Sequence, residues 1–362
     1  MTSVWERVGL GIGVLAAASF VASAASHKPA PKHAHSVAAP VRKAPPAPQF
    51  LADRIDELGR GFDGRIGIAV ESIDDGWETG WKDRELYPQQ SVSKLWVSIT
   101  ALDAVDRGKV SLDDPVTLTK DDLTLFHQPI ADEVLKTGSF TTTVGDLMLR
   151  EITQSDNTAN DKLMRTVGGP AAVRMMIARK HLGAVRFANG ERTMQSRIAG
   201  LTWSQDYAIS GKFFEVRDAL PMNVRQAAFD RYVANPYDGA APSAIVEALA
   251  RLKRGELLSA KSTAYLLDIM SHTHTGPNRL KGGLQAGWTL NHKTGTGQEL
   301  GGAQAGYNDI GILTAPDGKS YAVAVMIKLT SVPLPVRMTL MNEVVRAVIT
   351  QHDMQYAPVA QQ

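Results

Sequence analysis

The sequence predicts an α+β fold, in which strands from both ends of the chain form one antiparallel sheet with flanking helices and the middle forms a mostly helical subdomain. Strand-like apolar runs joined by short turns occur at 64–81 and again at 306–329. Between them, from residue 91 to about 270, apolar residues recur at helical spacing. Strands at the two ends of a domain usually pair with each other, so we expect a cleft that holds the functional site between the sheet and the helices.

The N-terminal elements follow from local patterns. Residues 50–62 predict a short helix, and an Asp-Asp-Gly turn at 74–76 joins the two strands of a first hairpin. Residues 91–107 predict a second helix, which Gly108 is placed to end. Its apolar residues would share one stripe: Val92, Leu95, Trp96, Ile99, Leu102 and Val105.

The later elements follow the same two patterns. Apolar stripes predict four further helices, at 144–152, 159–166, 170–180 and 243–253. A Pro-Asp-Gly turn at 316–318 joins two apolar runs into a second hairpin. The pattern at 339–352 predicts a closing helix.

Composition narrows the class of partner. The chain has 362 residues and 44% hydrophobic content, enough for one large domain or two small ones with a buried core. Its 39 basic and 37 acidic residues leave a net charge of +2, which does not favour nucleic acid. We therefore expect a small-molecule or peptide partner. Cysteine is absent, which excludes disulfides, thiol catalysis and zinc held by cysteine.

The first 24 residues have the pattern of a cleavable export signal. Residues 1–7 carry positive charge, 9–21 form an apolar run too short to span a bilayer comfortably, and Ala22-Ser23-Ala24 matches the A-x-A cleavage pattern. A membrane anchor is the alternative, although a lipoprotein anchor would need a cysteine. We expect a periplasmic or secreted protein that is free of the membrane after cleavage.

Residues 25–50 are rich in proline, alanine and basic residues without any period, which is typical of a solvated linker. The catalytic domain is predicted to follow at 51–357.

The first candidate site is the pair Ser91 and Lys94 in "SVSKLW". Side chains three apart on a helix are neighbours, so Lys94 can reach Ser91 but faces away from Ser93. A serine becomes a nucleophile when an adjacent base removes its proton, and a lysine can be that base. A serine cap with a solvated lysine is the alternative, because S-x-x-K also occurs by chance.

Two further motifs favour the interpretation of Ser91 as a nucleophile over that of a helix cap. Ser155, Asp156 and Asn157 form S-D-N at a break between helical stretches, and residues 293–295 form K-T-G just ahead of the C-terminal strands. Each motif alone is weak. In the order S-x-x-K, S-D-N, K-T-G they form the signature of class A β-lactamases and penicillin-binding proteins.

The chain from about residue 60 to 352 resembles the class A serine β-lactamases beyond these motifs. The run "TGPNRLKGGLQAGWTLNHKTGTG" is similar to the stretch before the family's K-T-G, with Arg279 where some members hold an arginine that helps to bind the substrate carboxylate. "HQPI" resembles the segment at the cleft mouth, with His127 in place of the usual aromatic residue. The resemblance implies a β-lactamase/transpeptidase-like fold and hydrolysis of β-lactams through an acyl-serine intermediate.

The resemblance also assigns a deacylating base. Family members carry Glu-x-x-Leu-Asn, with the Glu 36 residues after the S-D-N serine, and at that spacing this chain reads Glu-Arg-Thr-Met-Gln from Glu191 to Gln195. The resemblance therefore implies that Glu191 and Gln195 hold the hydrolytic water. Met194 conserves the volume of the family's leucine, and Gln195 keeps an amide.

The chain departs from the family around this glutamate. Gly190 and Arg192 replace the usual aromatic and proline neighbours, and Asn189 stands where the family has an arginine that clamps the loop. The segment 196–241 makes the chain roughly thirty residues longer than the family norm. Because this segment is rich in aromatic residues, we expect it to fold into extra helix and to hold the loop differently.

The remaining roles come from the resemblance. Ser91 attacks after losing its proton to Lys94, or to Glu191 through water, and the backbone N–H groups of Ser91 and Thr296 form the oxyanion hole. Ser155 relays the proton to the leaving nitrogen. Lys293 is catalytic as well: it lowers the pKa around Ser155 and, with Thr294 and Arg279, attracts the substrate carboxylate. Asn157 orients the acylamide side chain and Lys94, and His127 lies at the cleft mouth.

Three alternatives remain at this stage. A D-alanyl-D-alanine carboxypeptidase or transpeptidase would use the same motifs on a peptidoglycan stem peptide without an activated deacylation water. A non-catalytic relative would bind the cell wall. A zinc site at His272, His274 and His292 lacks ligand spacing, so we predict no metal and no cofactor. We expect a monomer.

Overall fold

The computed structural model describes residues 44–356. The predicted export signal, the linker up to residue 43 and the last six residues lie outside the described residues. Within the described range, each helix is too short or too polar to span a membrane.

The elements follow the predicted order, with strands near both ends of the described range, mostly helices between them and a closing helix. The helices are α1 Gln49–Gly61, α2 Lys94–Asp106, α3 Ala131–Thr137, α4 Val144–Thr153, α5 Asn157–Thr166, α6 Gly169–Arg179, α7 Glu191–Ile198, α8 Lys212–Ala219, α9 Met222–Ala234, α10 Pro242–Lys253, α11 Ala260–Ser271 and α12 Leu334–Tyr356. The strands are β1 Arg65–Ser72, β2 Glu78–Trp81, β3 Tyr87–Pro88, β4 Pro115–Thr119, β5 Ser139–Thr143, β6 Gly239–Ala240, β7 Thr289–Thr296, β8 Glu299–Leu300, β9 Ala303–Gln304, β10 Tyr307–Thr314 and β11 Ser320–Leu329. Short 3₁₀ turns lie at Gln90–Ser93, Lys120–Asp122, Gln205–Ala208 and Leu280–Gly283.

The central sheet pairs strands from the N-terminal and C-terminal parts of the described range, as predicted. Its five strands lie in the order β2-β1-β11-β10-β7, and every neighbouring pair is antiparallel. One row of the register crosses the sheet from Ala69 through Ala324 and Ile310 to Lys293. The register thus places the K-T-G motif on β7, the strand at one edge of this sheet.

The two faces of strand β11 bury side chains of different size near its centre. Alternate residues of a strand point to opposite faces. On β11, Val323 and Val325 join the cluster that includes α1 and α12, whereas Ala322 and Ala324 join the cluster that includes α2 and α10. The small side chains let α10 pack closely, so the sheet is covered by helices on both faces.

Helix α2 lies at the centre of the helical subdomain. The sequence predicts one apolar stripe on it, yet every residue from Lys94 to Ala104 is buried. A helix that is buried on all sides belongs in the middle of a core, and α2 contacts α4, α5, α6 and α11. The helix begins at Lys94, because the 3₁₀ turn Gln90–Ser93 replaces its predicted first turn.

The other predicted helices are confirmed as α1, α4, α5, α6, α10 and α12, the last extending further at both ends than 339–352. The mostly helical middle is confirmed, but it also contains the antiparallel pair β4 and β5 and the two-residue strand β6, which the sequence does not predict. Strands β4 and β5 are short, and their exposed positions are largely threonines, so they lack the long apolar run that marks a strand.

The segment 196–241 contains helices α8 and α9, which agrees with the expected extra helix. From α9, Phe229 and Val233 pack against Met194 and Ile198 of α7. From α8, the buried ring of Phe213 packs against Leu125 and Ala199. The segment therefore packs against the helix that begins with Glu191.

Candidate active site

Ser91 lies in the 3₁₀ turn that precedes α2. The Nζ atom of Lys94 lies 2.7 Å from its Oγ atom. Ser93 instead donates its hydroxyl to the carbonyl of Gln90, at 2.7 Å, and is buried. The structure therefore pairs Lys94 with Ser91 and turns Ser93 away, as predicted from the spacing.

Lys94 is fully buried and donates to three acceptors. Besides Ser91 Oγ, its ammonium contacts Asn157 Oδ1 at 2.7 Å and Glu191 Oε1 at 2.9 Å. A buried ion pair is retained only with good geometry and further hydrogen bonds, both of which are present here. One ammonium group thus connects residues from three separate segments of the chain.

The position of Glu191 is set by the turn before α7. Gly190 has φ +89°, and a side chain there would approach Met164 and Asp161 within 3 Å. Asp161 accepts the backbone N–H of Glu191 at 2.8 Å. Glycine is required here because the backbone is left-handed and closely packed, which explains why this chain lacks the family's aromatic residue.

Gln195 holds the second carboxylate oxygen of Glu191. Its Nε2 atom donates to Glu191 Oε2 at 3.1 Å and to Gln90 Oε1 at 2.9 Å. The Nε2 atom of Gln298 in turn donates to Gln195 Oε1 at 3.0 Å. The longer amide side chain is therefore fixed at both ends.

Two arginines anchor the loop in place of the family's clamp. Arg174 donates to Asn189 Oδ1 at 3.1 Å. Arg192 donates to the carbonyl of Asp122 at 2.8 Å, and its guanidinium lies 5.2 Å from the ring centroid of Trp203. The loop is thus held differently, as expected, through Asn189 and Arg192, which the resemblance marks only as departures.

Ser155 and Lys293 form the second pair of the site. The Nζ atom of Lys293 donates to Ser155 Oγ at 3.0 Å, and Ser155 has a left-handed φ of +63°. Burial, together with the nearby charge of Lys94, holds the pKa of Lys293 well below its usual range. Asp156, next in the motif, caps α5 by accepting the N–H of Ala159.

The glycine of K-T-G brings β7 against the nucleophile. A side chain at Gly295 would clash with the carbonyl oxygen of Gln89 and come within 3.2 Å of the Val92 nitrogen. Only a glycine permits this approach. As a result, Thr294 and Thr296 line the same cleft as Ser91.

Arg279 lies against the far end of β7. It donates to the carbonyls of Gly295 at 3.1 Å and Asn308 at 2.7 Å, and its NH2 group donates to Thr296 Oγ1. Its guanidinium lies 3.8 Å from the ring centroid of Tyr307. Arg279 is therefore fixed beside Thr296 and contributes positive charge to this end of the cleft.

The cleft has a volume of about 470 Å³. It brings together nine residues that the sequence predicts: Ser91, His127, Ser155, Asn157, Glu191, Gln195, Arg279, Thr294 and Thr296. Lys94 and Lys293 lie beneath it, bonded to the two serines. The sequence does not assign seven further lining residues: Phe126, Phe214, Arg217, Thr275, Gly297, Gln298 and Glu299. Of these, Phe214 was marked only as part of an aromatic segment.

Glu151 is a buried acid beneath the site that the sequence did not mark. Ser98 donates to its Oε1 atom at 2.5 Å, and its Oε2 atom has no hydrogen-bond partner among residues 44–356. Burial raises the pKa of Glu151 to about 8, against the opposing charges of Lys94 and Lys293. The structure therefore favours a neutral carboxyl group at this position.

The substitution Glu151→Gln is expected to alter how stability depends on pH. The stabilising contribution of the neutral carboxyl is fully present below its ordinary pKa of 4.5 and is lost as the pH rises through about 8. The free energy of unfolding of the wild type should therefore fall, relative to Glu151→Gln, from about pH 5 to pH 8. Urea denaturation across this range measures it, with the exposed Glu133→Gln as control. Parallel curves for wild type and Glu151→Gln would contradict the assignment.

Comparison with known families agrees with this geometry. The model of the family described as "Beta-lactamase enzyme family" matches residues 49–352. The chain belongs to the β-lactamase enzyme family. The match covers the sheet, the helical subdomain and all three motifs of this β-lactamase family member.

Proteins named β-lactamases are similar to this chain in sequence, and solved structures of β-lactamases are similar to it in fold. The extended-spectrum β-lactamase PER-1 of Pseudomonas aeruginosa is 29% identical over 77% of this chain and 80% of its own length. The β-lactamase VEB-1 of the same species is 25% identical over 76% of this chain and 82% of its own length. The crystal structure of a β-lactamase from Chitinophaga pinensis DSM 2588 superposes with a TM-score of 0.68 at 27% identity, covering 83% of this chain and 98% of its own. That of TLA-3 extended-spectrum β-lactamase has a TM-score of 0.68 at 26% identity and the same coverage.

Proposed function

We propose that this protein is a serine β-lactamase that hydrolyses β-lactam antibiotics through an acyl-serine intermediate. The contact of one buried Lys94 ammonium with Ser91 Oγ and with Glu191 Oε1 is the observation that carries the proposal. The Lys94 ammonium connects the nucleophile Ser91 to Glu191, a carboxylate that can activate water, and both Ser91 and Glu191 line the same cleft. Family membership supports the same reaction.

Acylation begins when Ser91 Oγ attacks the β-lactam carbonyl carbon. Its proton passes to Lys94, 2.7 Å away, or through a water to Glu191. The backbone N–H groups of Ser91 and Thr296 stabilise the oxyanion, by about 3 kcal/mol per donor. The close approach of β7 at Gly295 supports this pairing.

Opening of the ring requires a proton on the leaving nitrogen. Ser155 supplies this proton, and Lys293 at 3.0 Å replaces it. A lysine whose pKa is lowered by burial gives up a proton more readily than an exposed one, which suits this relay. The substrate carboxylate meets the positive charge of Lys293 and Arg279 beside Thr294 and Thr296.

Deacylation regenerates the serine. Glu191 removes a proton from water that is held between its carboxylate and the Gln195 amide, and the hydroxide attacks the ester carbonyl. Gln195 is itself oriented by Gln298, so the carboxylate and the amide keep a fixed separation. Asn157 orients the acylamide group, and His127 borders the mouth of the cleft.

The test is turnover of nitrocefin by the purified protein. We expect many equivalents to be hydrolysed per molecule of enzyme. If the protein stalls after one equivalent and releases D-alanine from a peptide that ends in D-Ala-D-Ala, the peptidase alternative replaces the β-lactamase assignment. The position of Glu191, buried and bonded to both Lys94 and Gln195, supports the β-lactamase.

We further propose that the protein is exported, that its signal is cleaved after Ala24, and that it acts as a monomer in the periplasm or outside the cell. The residue pattern at 1–24 carries this proposal. Intact-mass analysis of the exported protein tests the cleavage position. Light scattering of the purified product tests the monomer.

Arg279→Ala is expected to lower kcat/KM by roughly one to two decades, as for the loss of a charge-assisted contact of about 1.5–3 kcal/mol. The reason is that Arg279 and Lys293 together attract the substrate carboxylate. Steady-state kinetics with benzylpenicillin measures the effect. Lys281→Ala is the matched control, because this exposed cation lies two residues away. An unchanged kcat/KM in Arg279→Ala would refute the role.

A further inference from the structure

Helix α8 contributes two side chains to the wall of the cleft. Phe214 and Arg217 are three residues apart, so they lie on one face of the helix. Both line the cleft that contains Ser91. The Arg217 guanidinium lies 5.0 Å from the centroid of the Phe214 ring. This helix belongs to the segment 196–241, whose length sets the chain apart from its family.

The phenyl rings of Phe126, Phe213 and Phe214 form an aromatic wall. Phe213 is buried, with its ring centroid 5.1 Å from that of Phe126 and 5.5 Å from that of Phe214. Phe126 and Phe214 are 38% and 46% exposed, and both line the cleft. Exposed aromatic rings that line a cleft are suited to contact an apolar group of a ligand.

The aromatic wall lies beside the group that orients the substrate's side chain. Asn157 Nδ2 donates to the carbonyl of Leu125, the residue immediately before Phe126, at 2.8 Å. An acylamide held by Asn157 therefore directs its substituent toward the wall. An aryl substituent would stack against Phe126 or Phe214 at the separations that aromatic pairs favour.

Arg217 adds a cation to the same wall. Its side chain is 22% exposed and pairs with Asp218 at 3.0 Å, a carboxylate that Arg225 also contacts at 3.3 Å. The single carboxylate of Asp218 is therefore shared between the guanidinium groups of Arg217 and Arg225. Glu299 also lines the cleft, and its negative charge opposes the positive charge of Arg217. The negative charge of Glu191 is instead paired with the ammonium of Lys94.

We propose that α8 selects β-lactams whose acyl side chain carries both an aryl ring and a carboxylate. The inference rests on the proposed function and names the substrate class of the same site. The aryl ring packs on the aromatic wall, and the carboxylate bonds to Arg217. Arg279 has different partners from Arg217, since its guanidinium is bonded to β7 and β10 beside Thr296.

A matched pair of substrates isolates the carboxylate. Carbenicillin is benzylpenicillin with one carboxylate added to the carbon between the phenyl ring and the amide. The measured quantity is the ratio of kcat/KM for carbenicillin to that for benzylpenicillin. Arg217→Gln should lower this ratio about tenfold, which is typical for the loss of one charge-assisted hydrogen bond. Glu299→Gln should raise it, because a like charge is removed.

Arg225→Gln is the matched control. It removes a guanidinium from the same Asp218 without changing the lining of the cleft, so the ratio should change by less than about twofold. A ratio that is unchanged in Arg217→Gln, or that falls equally in both variants, overturns the role of Arg217 while benzylpenicillin hydrolysis still supports the β-lactamase. Failure of the wild type to hydrolyse benzylpenicillin refutes the proposed function itself.

The aryl contact has its own measurement. 6-Aminopenicillanic acid lacks the acyl side chain, so the ratio of kcat/KM for benzylpenicillin to that for 6-aminopenicillanic acid reports the side-chain contact. Phe214→Ala should lower this ratio about threefold to tenfold, the range expected for one aromatic pair. Leu220→Ala, at the end of the same helix, is the control. An unchanged ratio in Phe214→Ala shows that the wall does not contact the side chain.

Discussion

Ser91→Ala is expected to abolish both β-lactam turnover and formation of a covalent adduct, lowering kcat by at least about 10⁴-fold. Without Oγ, the residue cannot form the ester through which the whole reaction passes. Neither Lys94 nor Glu191 is expected to take over the role of the Ser91 hydroxyl, because both act in proton transfer and not as the nucleophile that forms the ester. Intact-mass spectrometry after incubation with a penicillin measures the adduct directly.

Ser93→Ala is the matched control for this experiment. Ser93 is two residues away, but its hydroxyl is bonded to the Gln90 carbonyl and is buried. We expect the penicillin adduct to form on this variant as it does on the wild type. An adduct that survives in Ser91→Ala would show that another residue is the nucleophile.

Glu191→Ala is expected to accumulate the acyl-enzyme, with deacylation slowed by about 10² to 10⁴-fold. Attack by Ser91 can still proceed through Lys94, since the 2.7 Å contact between them does not involve the glutamate. Hydrolysis of the ester cannot proceed at the same rate, because the base that activates water is lost. A burst of one equivalent of nitrocefin, followed by a slow phase, measures the effect.

Glu191→Gln separates loss of the base from loss of packing. The amide keeps nearly the same volume and can still accept a hydrogen bond from Lys94, yet it cannot take a proton from water. Breaking a buried ion pair costs stability, so a thermal melt of each variant should accompany the kinetics. Turnover of Glu191→Gln at the wild-type rate would refute the assignment of Glu191 as the deacylating base.

Local features of this site could be predicted because they depend on neighbours in the sequence. The pairing of Lys94 with Ser91 follows from a spacing of three residues, and the 3₁₀ turn preserves it even though α2 begins later than expected. The cap of α5 by Asp156 is similarly local. Short polar strands such as β4 and β5 carry little local signal, so the sequence does not predict them.

The surroundings of Glu191 could not be predicted, because they come from distant parts of the chain. Its spacing from Ser155 marks it as a candidate, whereas its environment depends on Asp161, Gln298 and the packing of α9 against α7. The departures at Gly190 and Arg192 cast doubt on the position of this glutamate. In the structure they explain it: one permits a left-handed turn, and the other fastens the loop to Asp122.

The sequence by itself determined the family, the order of the main helices and central strands, and the spacing that pairs Ser91 with Lys94. These properties reside in helical and strand periodicity and in short motifs, which act over a few residues. The tertiary structure alone decided that α2 is buried on all sides, that Glu151 lies in the core near two lysines, and that α8 brings Phe214 and Arg217 into the cleft. The reason is physical: burial, pKa and the lining of a cavity depend on which surfaces pack together, and packing joins residues that no local pattern connects.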